Sequence, residues 1–255
     1  MVTAMDAVPE ITIVDTSAAI AEEAARLIFA TAQDGVGARG RFTIALAGGG
    51  TPRATYERLT QPPYAERMPW SQTWVFFGDE RSVGPEHADS NYRMAYEALL
   101  SKVAIPPEQV FRVRGEAEDP EEAASEYARR LAEVFRTRRG ETPRFDLILL
   151  GLGVDGHTAS LFPGSPAVRE VFRSVAAVYS AAAAIPRRVT FTFPIITAAA
   201  QVAFLVAGAE KAKVVKAVLV DGAMLPAAMA RPTNGRLLWL LDRDAAALLP
   251  ATPRR

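Results

Sequence analysis

The sequence contains no cysteine. That removes disulfides, thiol nucleophiles and thiolate metal sites together, and leaves no record of the redox environment. An excess of charge is missing too: 29 basic residues meet 29 acidic ones. A balanced chain projects no global field toward nucleic acid or an anionic membrane, so an anion must be met by a local arrangement. No apolar run is long enough to span a bilayer. The opening "MVTAMDAVPEITIVD" puts acidic residues and proline where a signal peptide needs a basic start and an apolar core. The expectation is a cytoplasmic protein with neither membrane nor nucleic-acid partners. Histidine is nearly absent, with two residues in 255.

What is present is apolar material: 49% of the chain is hydrophobic, enough for a sizeable core and read here as one domain spanning 1–255. Short β-branched or aromatic runs bounded by glycine or charge predict buried strands at 11–14, 41–47, 73–78, 145–151, 201–208 and 236–242. Helical patterns lie between them at 17–33, 52–60, 90–101, 120–139 and 210–220. Ser90 is placed to cap the third of these, whose Tyr92, Ala95, Tyr96, Leu99 and Leu100 share one face. The alternation predicts an α/β fold with a largely parallel sheet and helices on both faces. "RVTFTFPII" at 188–196 alternates as a half-exposed strand near an edge would.

In an open parallel sheet, ligands bind beyond the carboxyl ends of the strands. Four predicted strands run straight into conspicuous residues: "GGGTPR", "DER", "GVDGH" and "GAEK". The four loops are expected to converge on one crevice. The first reads as a glycine turn into a helix with Thr51 as N-cap and Pro52 at the first helical position; it is either a phosphate cradle built on Gly48, Gly49, Gly50 and Thr51 or an ordinary tight turn. It has no P-loop lysine, which argues against a nucleoside triphosphate. Lys211 sits where a helix dipole disfavours a cation, so it is either solvated beside Glu210 or partnered by a bound anion. Of Arg187 and Arg188, one arginine pointing inward suits bidentate phosphate binding, and exposure is the alternative.

In "DER", Glu80 reads as part of a surface ion-pair cluster. Asp79 and Arg81 face the same way in an extended segment and suit orienting a ligand or another side chain. His157 follows two glycines and an aspartate with no apolar face around it, which favours proton transfer near neutral pH over a core role. Asp155 is placed either to fix the tautomer of His157 or to form the turn. His87 reads as solvated. Gly151, Gly153 and Gly156 spell a dinucleotide fingerprint, but Pro163 and Gly164 end any following helix too early for a Rossmann crossover. Neither a metal-ligand cluster nor G-x-S-x-G is present.

"LAGGGTPRATYERL", "FFGDERSVGPEHADSNYRMA", "FDLILLGLGVDGHTASLFPG" and "RRVTFTFPIITAAAQVAFLVAGAEKA" together resemble the 6-phosphogluconolactonase family, in its order and approximate spacing and over most of the chain. The resemblance implies a Rossmann-like fold shared with glucosamine-6-phosphate deaminases, hydrolysis of a phosphorylated sugar lactone in the oxidative pentose phosphate pathway, and no cofactor or metal. It implies His157 as general base with Asp155 in the same motif, Arg81 in the active site, Gly48, Gly49, Gly50 and Thr51 as the phosphate loop, and Arg188 and Lys211 as phosphate-side cations. Asp79 is grouped with the substrate-binding residues. Many relatives carry two serines where this chain has Ala47 and Gly50, so phosphate binding would lean on backbone amides, Thr51 and the cations. The rivals are a glucosamine-6-phosphate deaminase, which would carry an acid after its G-H pair where this chain reads "TASLFPG", and a sugar-phosphate sensor, which has no need of His157. A monomer or small homo-oligomer is expected.

Overall fold

The computed structural model describes residues 7–181 and 183–250. Its strands are β1 (Pro9–Val14), β2 (Phe42–Leu46), β3 (Thr73–Phe77), β4 (Asp79–Arg81), β5 (Val110–Phe111), β6 (Leu147–Leu150), β7 (Val175–Tyr179), β8 (Arg187–Phe191), β9 (Gln201–Val206) and β10 (Arg236–Asp242). Its helices are α1 (Ser17–Arg39), α2 (Gly50–Leu59), α3 (Tyr64–Arg67), α4 (Asn91–Ala95), α5 (Pro120–Phe135), α6 (Phe193–Ala198), α7 (Ala212–Leu219) and α8 (Pro226–Met229).

Seven strands form one sheet in the order β1, β10, β9, β6, β2, β3, β5, with every pairing parallel. Helices cover both faces because successive side chains of a strand point to opposite sides. Ile44 and Leu46 of β2, with Leu147 and Leu149 of β6, pack under Ala25, Ile28 and Ala32 of α1. Their neighbours Ala45, Ile148 and Leu150 join the other core, with Tyr127 and Leu131 of α5 and Val214, Val215 and Val218 of α7. From β2 the chain moves outward to β3 and β5, then returns to β6 on the other side of β2. The order therefore reverses between β2 and β6, and their carboxyl ends flank the crevice where such sheets bind ligands.

A second, antiparallel sheet has the order β4, β8, β7. Gly78 alone separates β3 from β4; its N–H donates to Leu46 and its carbonyl accepts from Phe191, so the two sheets meet at the end of β2. This sheet corrects the reading of 188–196. β8 is its central strand, and the extended run stops at Phe191 because Pro194 opens α6, where its missing N–H costs nothing. β1 is also corrected: it is an edge strand paired only to β10, with Ile11 44% and Ile13 46% exposed. The helix expected over 90–101 is α4 followed by a π turn over Tyr96–Leu100, and α5 stops at Phe135, where Arg136 takes a left-handed φ of 53°. Ser90 caps α4 as its hydroxyl accepts from the Arg93 N–H. The strands β4, β5 and β7 were not foreseen; β4 and β5 are only three and two residues long.

Candidate functional site

A crevice of about 230 Å³ opens at the reversal point. It is lined from all four conspicuous loops: Gly48 and Gly49 after β2, Asp79 and Arg81 in β4, Gly151 to Gly153 with His157 after β6, and Lys211 after β9. Arg188 reaches it from β8. A larger concavity beside β5 and α5 is floored by Phe111 and Tyr127, away from these loops.

The histidine loop is a tight structure held by its own backbone. The Gly153 N–H donates to the His157 carbonyl at 2.8 Å and the Gly156 N–H to Gly153 at 3.0 Å, while Gly156 adopts a φ of 84° that disfavours a side chain. His157 Nδ1 lies 2.6 Å from Asp155 Oδ1, which also accepts the His157 backbone N–H at 3.1 Å. Burial pulls the Asp155 carboxyl up, but the bonds from the His157 backbone and ring outweigh it and hold the group below its ordinary range. With Nδ1 bound to a carboxylate, Nε2 is the nitrogen left to accept a proton. The ring packs against Phe162 with centroids 4.6 Å apart, and the Arg188 guanidinium lies 5.5 Å over the same phenyl ring. Phe162 thus brings the histidine and one arginine together.

The glycine loop begins where Tyr56, fully buried, ties both backbone groups of Ala47 with its hydroxyl. Here the capping assignment is corrected. Gly49, at a φ of 105°, is the N-cap of α2, Gly50 is its first residue, and no side chain caps it. Thr51 instead lies inside the first turn, where its carbonyl accepts from the Thr55 hydroxyl. The helix's own ladder begins with the Arg53 N–H bonding the Gly49 carbonyl, which leaves the N–H groups of Gly50 and Thr51 outside it. Gly48 and Gly49 line the crevice; Gly50 and Thr51 stand outside its lining.

Arg81 and Arg188 are direct partners in the β4–β8 register. Like charges directly opposite on neighbouring strands oppose each other. Burial holds the Arg188 guanidinium below its ordinary value, Asp79 raises it and Arg81 lowers it further. Lys211 stands at the N-terminal end of α7. Arg81, Arg188 and Lys211 thus place three cationic side chains on the crevice wall.

Asp79 is 7% exposed and both of its carboxylate oxygens have partners: Ser160 Oγ donates at 2.6 Å and Asn91 Nδ2 at 3.0 Å. Of the two roles open to it, orienting other side chains is the one these bonds serve. Glu80 is corrected: it is 2% exposed, not a surface residue. It accepts from the N–H groups of Asn91 and Tyr92 and from the Ser90 hydroxyl, closing the loop from β4 to the start of α4 around a buried carboxyl group. Burial raises its carboxyl above the ordinary range against those bonds.

The sequence reading missed Asn91, Ser160, Tyr56 and Phe162. Ser160 and Phe162 lie within the same histidine motif, "GHTASLFPG", and Asn91 directly follows the capping Ser90, so position in the motifs was the available signal. No group of three or more His, Cys, Asp or Glu side chains that could hold a metal ion occurs among the described residues. No helix among them is long and apolar enough to cross a membrane.

Residues 15–239 match the family model described as glucosamine-6-phosphate isomerases/6-phosphogluconolactonase. A Synechocystis protein named 6-phosphogluconolactonase is 44% identical over 210 residues, covering 81% of this chain and 84% of its own. A rice protein named probable 6-phosphogluconolactonase 3, chloroplastic, is 38% identical over 247 residues, covering 93% of this chain and 75% of its own. The solved structure of 6-phosphogluconolactonase from Trypanosoma cruzi superposes with a TM-score of 0.87 at 31% identity, covering 97% of this chain and 99% of that one.

Proposed function

The chain belongs to the glucosamine-6-phosphate isomerase/6-phosphogluconolactonase family, and from that premise we propose that it hydrolyses 6-phosphoglucono-1,5-lactone to 6-phosphogluconate, a step of the pentose phosphate pathway. The observation that carries this reading is the bond between His157 Nδ1 and Asp155 at the edge of a crevice that also holds a glycine loop and three cations. A δ-lactone is an activated ester, so one positioned base and a held substrate suffice.

In this mechanism Nε2 of His157 takes a proton from water as its oxygen attacks C1, and Asp155 stabilises the imidazolium that forms. Charge accumulates on the former carbonyl oxygen, where Arg81 and loop amides oppose it. The C1–ring oxygen bond then breaks, and the ring oxygen leaves with the proton carried by His157. The phosphate, held by the glycine loop, Arg188 and Lys211, supplies remote binding energy that fixes C1 beside the base.

The test is acid release from freshly made lactone above its spontaneous rate, with ammonia release from glucosamine 6-phosphate measured in parallel. Acceleration of the first supports the proposal. Ammonia release without lactone hydrolysis would move the assignment to the deaminases, and inactivity toward both would remove it. The proposal includes a cytoplasmic site of action, one domain across 1–255, a small-molecule substrate with no nucleic-acid partner, and a monomer or small homo-oligomer. Fractionation and sedimentation measure the first and last of these.

A further inference from the structure

Asn91 is 2% exposed and sits at the junction of three segments. Its Nδ2 donates to the Asp79 carbonyl at 2.9 Å and to Asp79 Oδ1 at 3.0 Å, and its Oδ1 accepts from Arg81 Nη1 at 2.8 Å. This pattern fixes the amide orientation, since the flipped amide would aim a donor at a guanidinium. The same carboxamide presses on the glycine loop: a Cβ at Gly48 would lie 2.0 Å from Asn91 Oδ1. Gly48 is therefore glycine because Asn91 occupies the space beside it.

Arg81 carries the consequence. Nη1 donates to Asn91 Oδ1 and to the Asp89 carbonyl at 2.7 Å, which uses both of its hydrogens. Nε is buried and has no partner, and the guanidinium's hydrogen bonds among the described residues both leave from Nη1, none from Nη2. A buried donor left without a partner loses its water and gains nothing in return, so a guanidinium free to rotate would not settle in this pose. Asn91 and Asp89 hold it there by one corner, beside the crevice that Arg81 lines.

We propose that Asn91 is a positioning residue: it fixes the roll of the Arg81 guanidinium so that Nη2 is presented to an oxyanion of the ligand, and it sets the distance between that guanidinium and the Gly48 loop. This rests on the lactonase reading for its substrate but not for its geometry. The oxyanion is either the phosphate or the oxygen developing at C1, and kinetics separate the two: loss in KM marks the phosphate, loss in kcat marks C1.

The experiment is a double-mutant cycle of Asn91→Ala with Arg81→Lys, read as kcat and KM on the lactone. Asn91→Ala should lower kcat/KM by about 10- to 100-fold in the native background, the scale of a misplaced binding group. In the Arg81→Lys background the same change should cost less than about threefold, because an ammonium has no roll to fix. Asn91→Asp, which keeps the volume and the acceptor toward Arg81, should recover activity at low pH and lose it as pH rises, when its carboxylate would face that of Asp79. An equal loss in both backgrounds, or a flat pH response of Asn91→Asp relative to the native enzyme, would overturn the proposal. If the native protein does not hydrolyse the lactone, the functional reading fails by itself. The cycle is then read by calorimetry with inorganic phosphate: weakening by Asn91→Ala only where Arg81 is present sustains the positioning role, and equal weakening or none in both backgrounds overturns it.

Discussion

Arg81 and Arg188 stand directly opposite each other across the antiparallel pairing of β4 with β8. Both line the same crevice, and the repulsion between them is a cost that an anion bound there would remove. Inorganic phosphate should therefore raise the thermal midpoint, by an amount equivalent to about 2.7 kcal/mol at one hundred times its Kd. Arg188→Gln should lose most of that gain. Thermal scans with and without phosphate measure it, and an equal gain in the variant would take Arg188 out of the anion site.

Lys211 reaches the crevice from the N-terminal end of α7, where the helix dipole already favours an anion. In the proposed binding mode its charge and the dipole act on the same ligand group, the phosphate, which is remote from C1. Lys211→Ala should raise KM about tenfold and change kcat by less than about threefold. Steady-state kinetics at low and high salt check this: the native advantage should shrink with added salt as screening increases. A fall in kcat at constant KM would place the lysine at the reacting end instead.

Asp155 and His157 act as one unit if the carboxylate sets the tautomer. His157→Ala should lower kcat by about 10²- to 10⁴-fold, the contribution of a general base. Asp155→Asn should cost less, and the double variant no more than His157→Ala alone, since groups that work together are not additive. Turnover of the three variants decides it; additive losses would separate the two residues.

The crevice was legible in the sequence because its parts are local to strand ends: "GGG", "DER", "DGH" and "EK" each follow a run that forms one buried strand of the parallel sheet. Glu80 was misread because its partners, the N–H groups of Asn91 and Tyr92, come from a loop return that no periodicity encodes. Asn91 was invisible for the same reason: its role depends on Gly48, Asp79 and Arg81 meeting in space. The strand over 188–196 failed differently. Alternation of valine and phenylalanine with threonine reads as half-exposed, yet Thr190 and Thr192 are buried and spend their hydroxyls on nearby carbonyls. The edge position of β1 was likewise not encoded in "ITIV", since the same apolar run suits a central or a terminal strand.

Glu170 provides a pH test outside the crevice. The Phe172 N–H, the Arg173 side chain and the Arg173 N–H all donate to its carboxylate and hold its pKa well below the ordinary glutamate range, at about 2. A depressed carboxylate contributes stability above its unfolded pKa and loses it as pH falls through the folded one. Glu170→Gln should therefore be less stable by about 1–2 kcal/mol near neutrality, discounted for solvent screening, with the difference vanishing as pH falls from about 4 toward 2. Urea titrations across that window measure it; a constant difference would mean that charge is not what Glu170 contributes.

Gly153 offers a way to disturb the Asp155–His157 bond without deleting either partner. A Cβ there would meet His157 Nδ1 at 2.0 Å and Asp155 Oδ1 at 2.6 Å, so the ring and the carboxylate must part. Both are side-chain atoms at the rim of an open crevice and can swing away, whereas the turn bond from the Gly153 N–H to the His157 carbonyl can persist. Gly153→Ala should therefore change stability by less than about 1 kcal/mol, as at other sites free to relax. It should lower kcat by about 10- to 100-fold, because the base remains but its orientation does not. Turnover measured beside the thermal midpoint separates the outcomes. A large loss of stability would mean that the loop itself is rebuilt, and normal turnover would mean that His157 needs no orienting carboxylate.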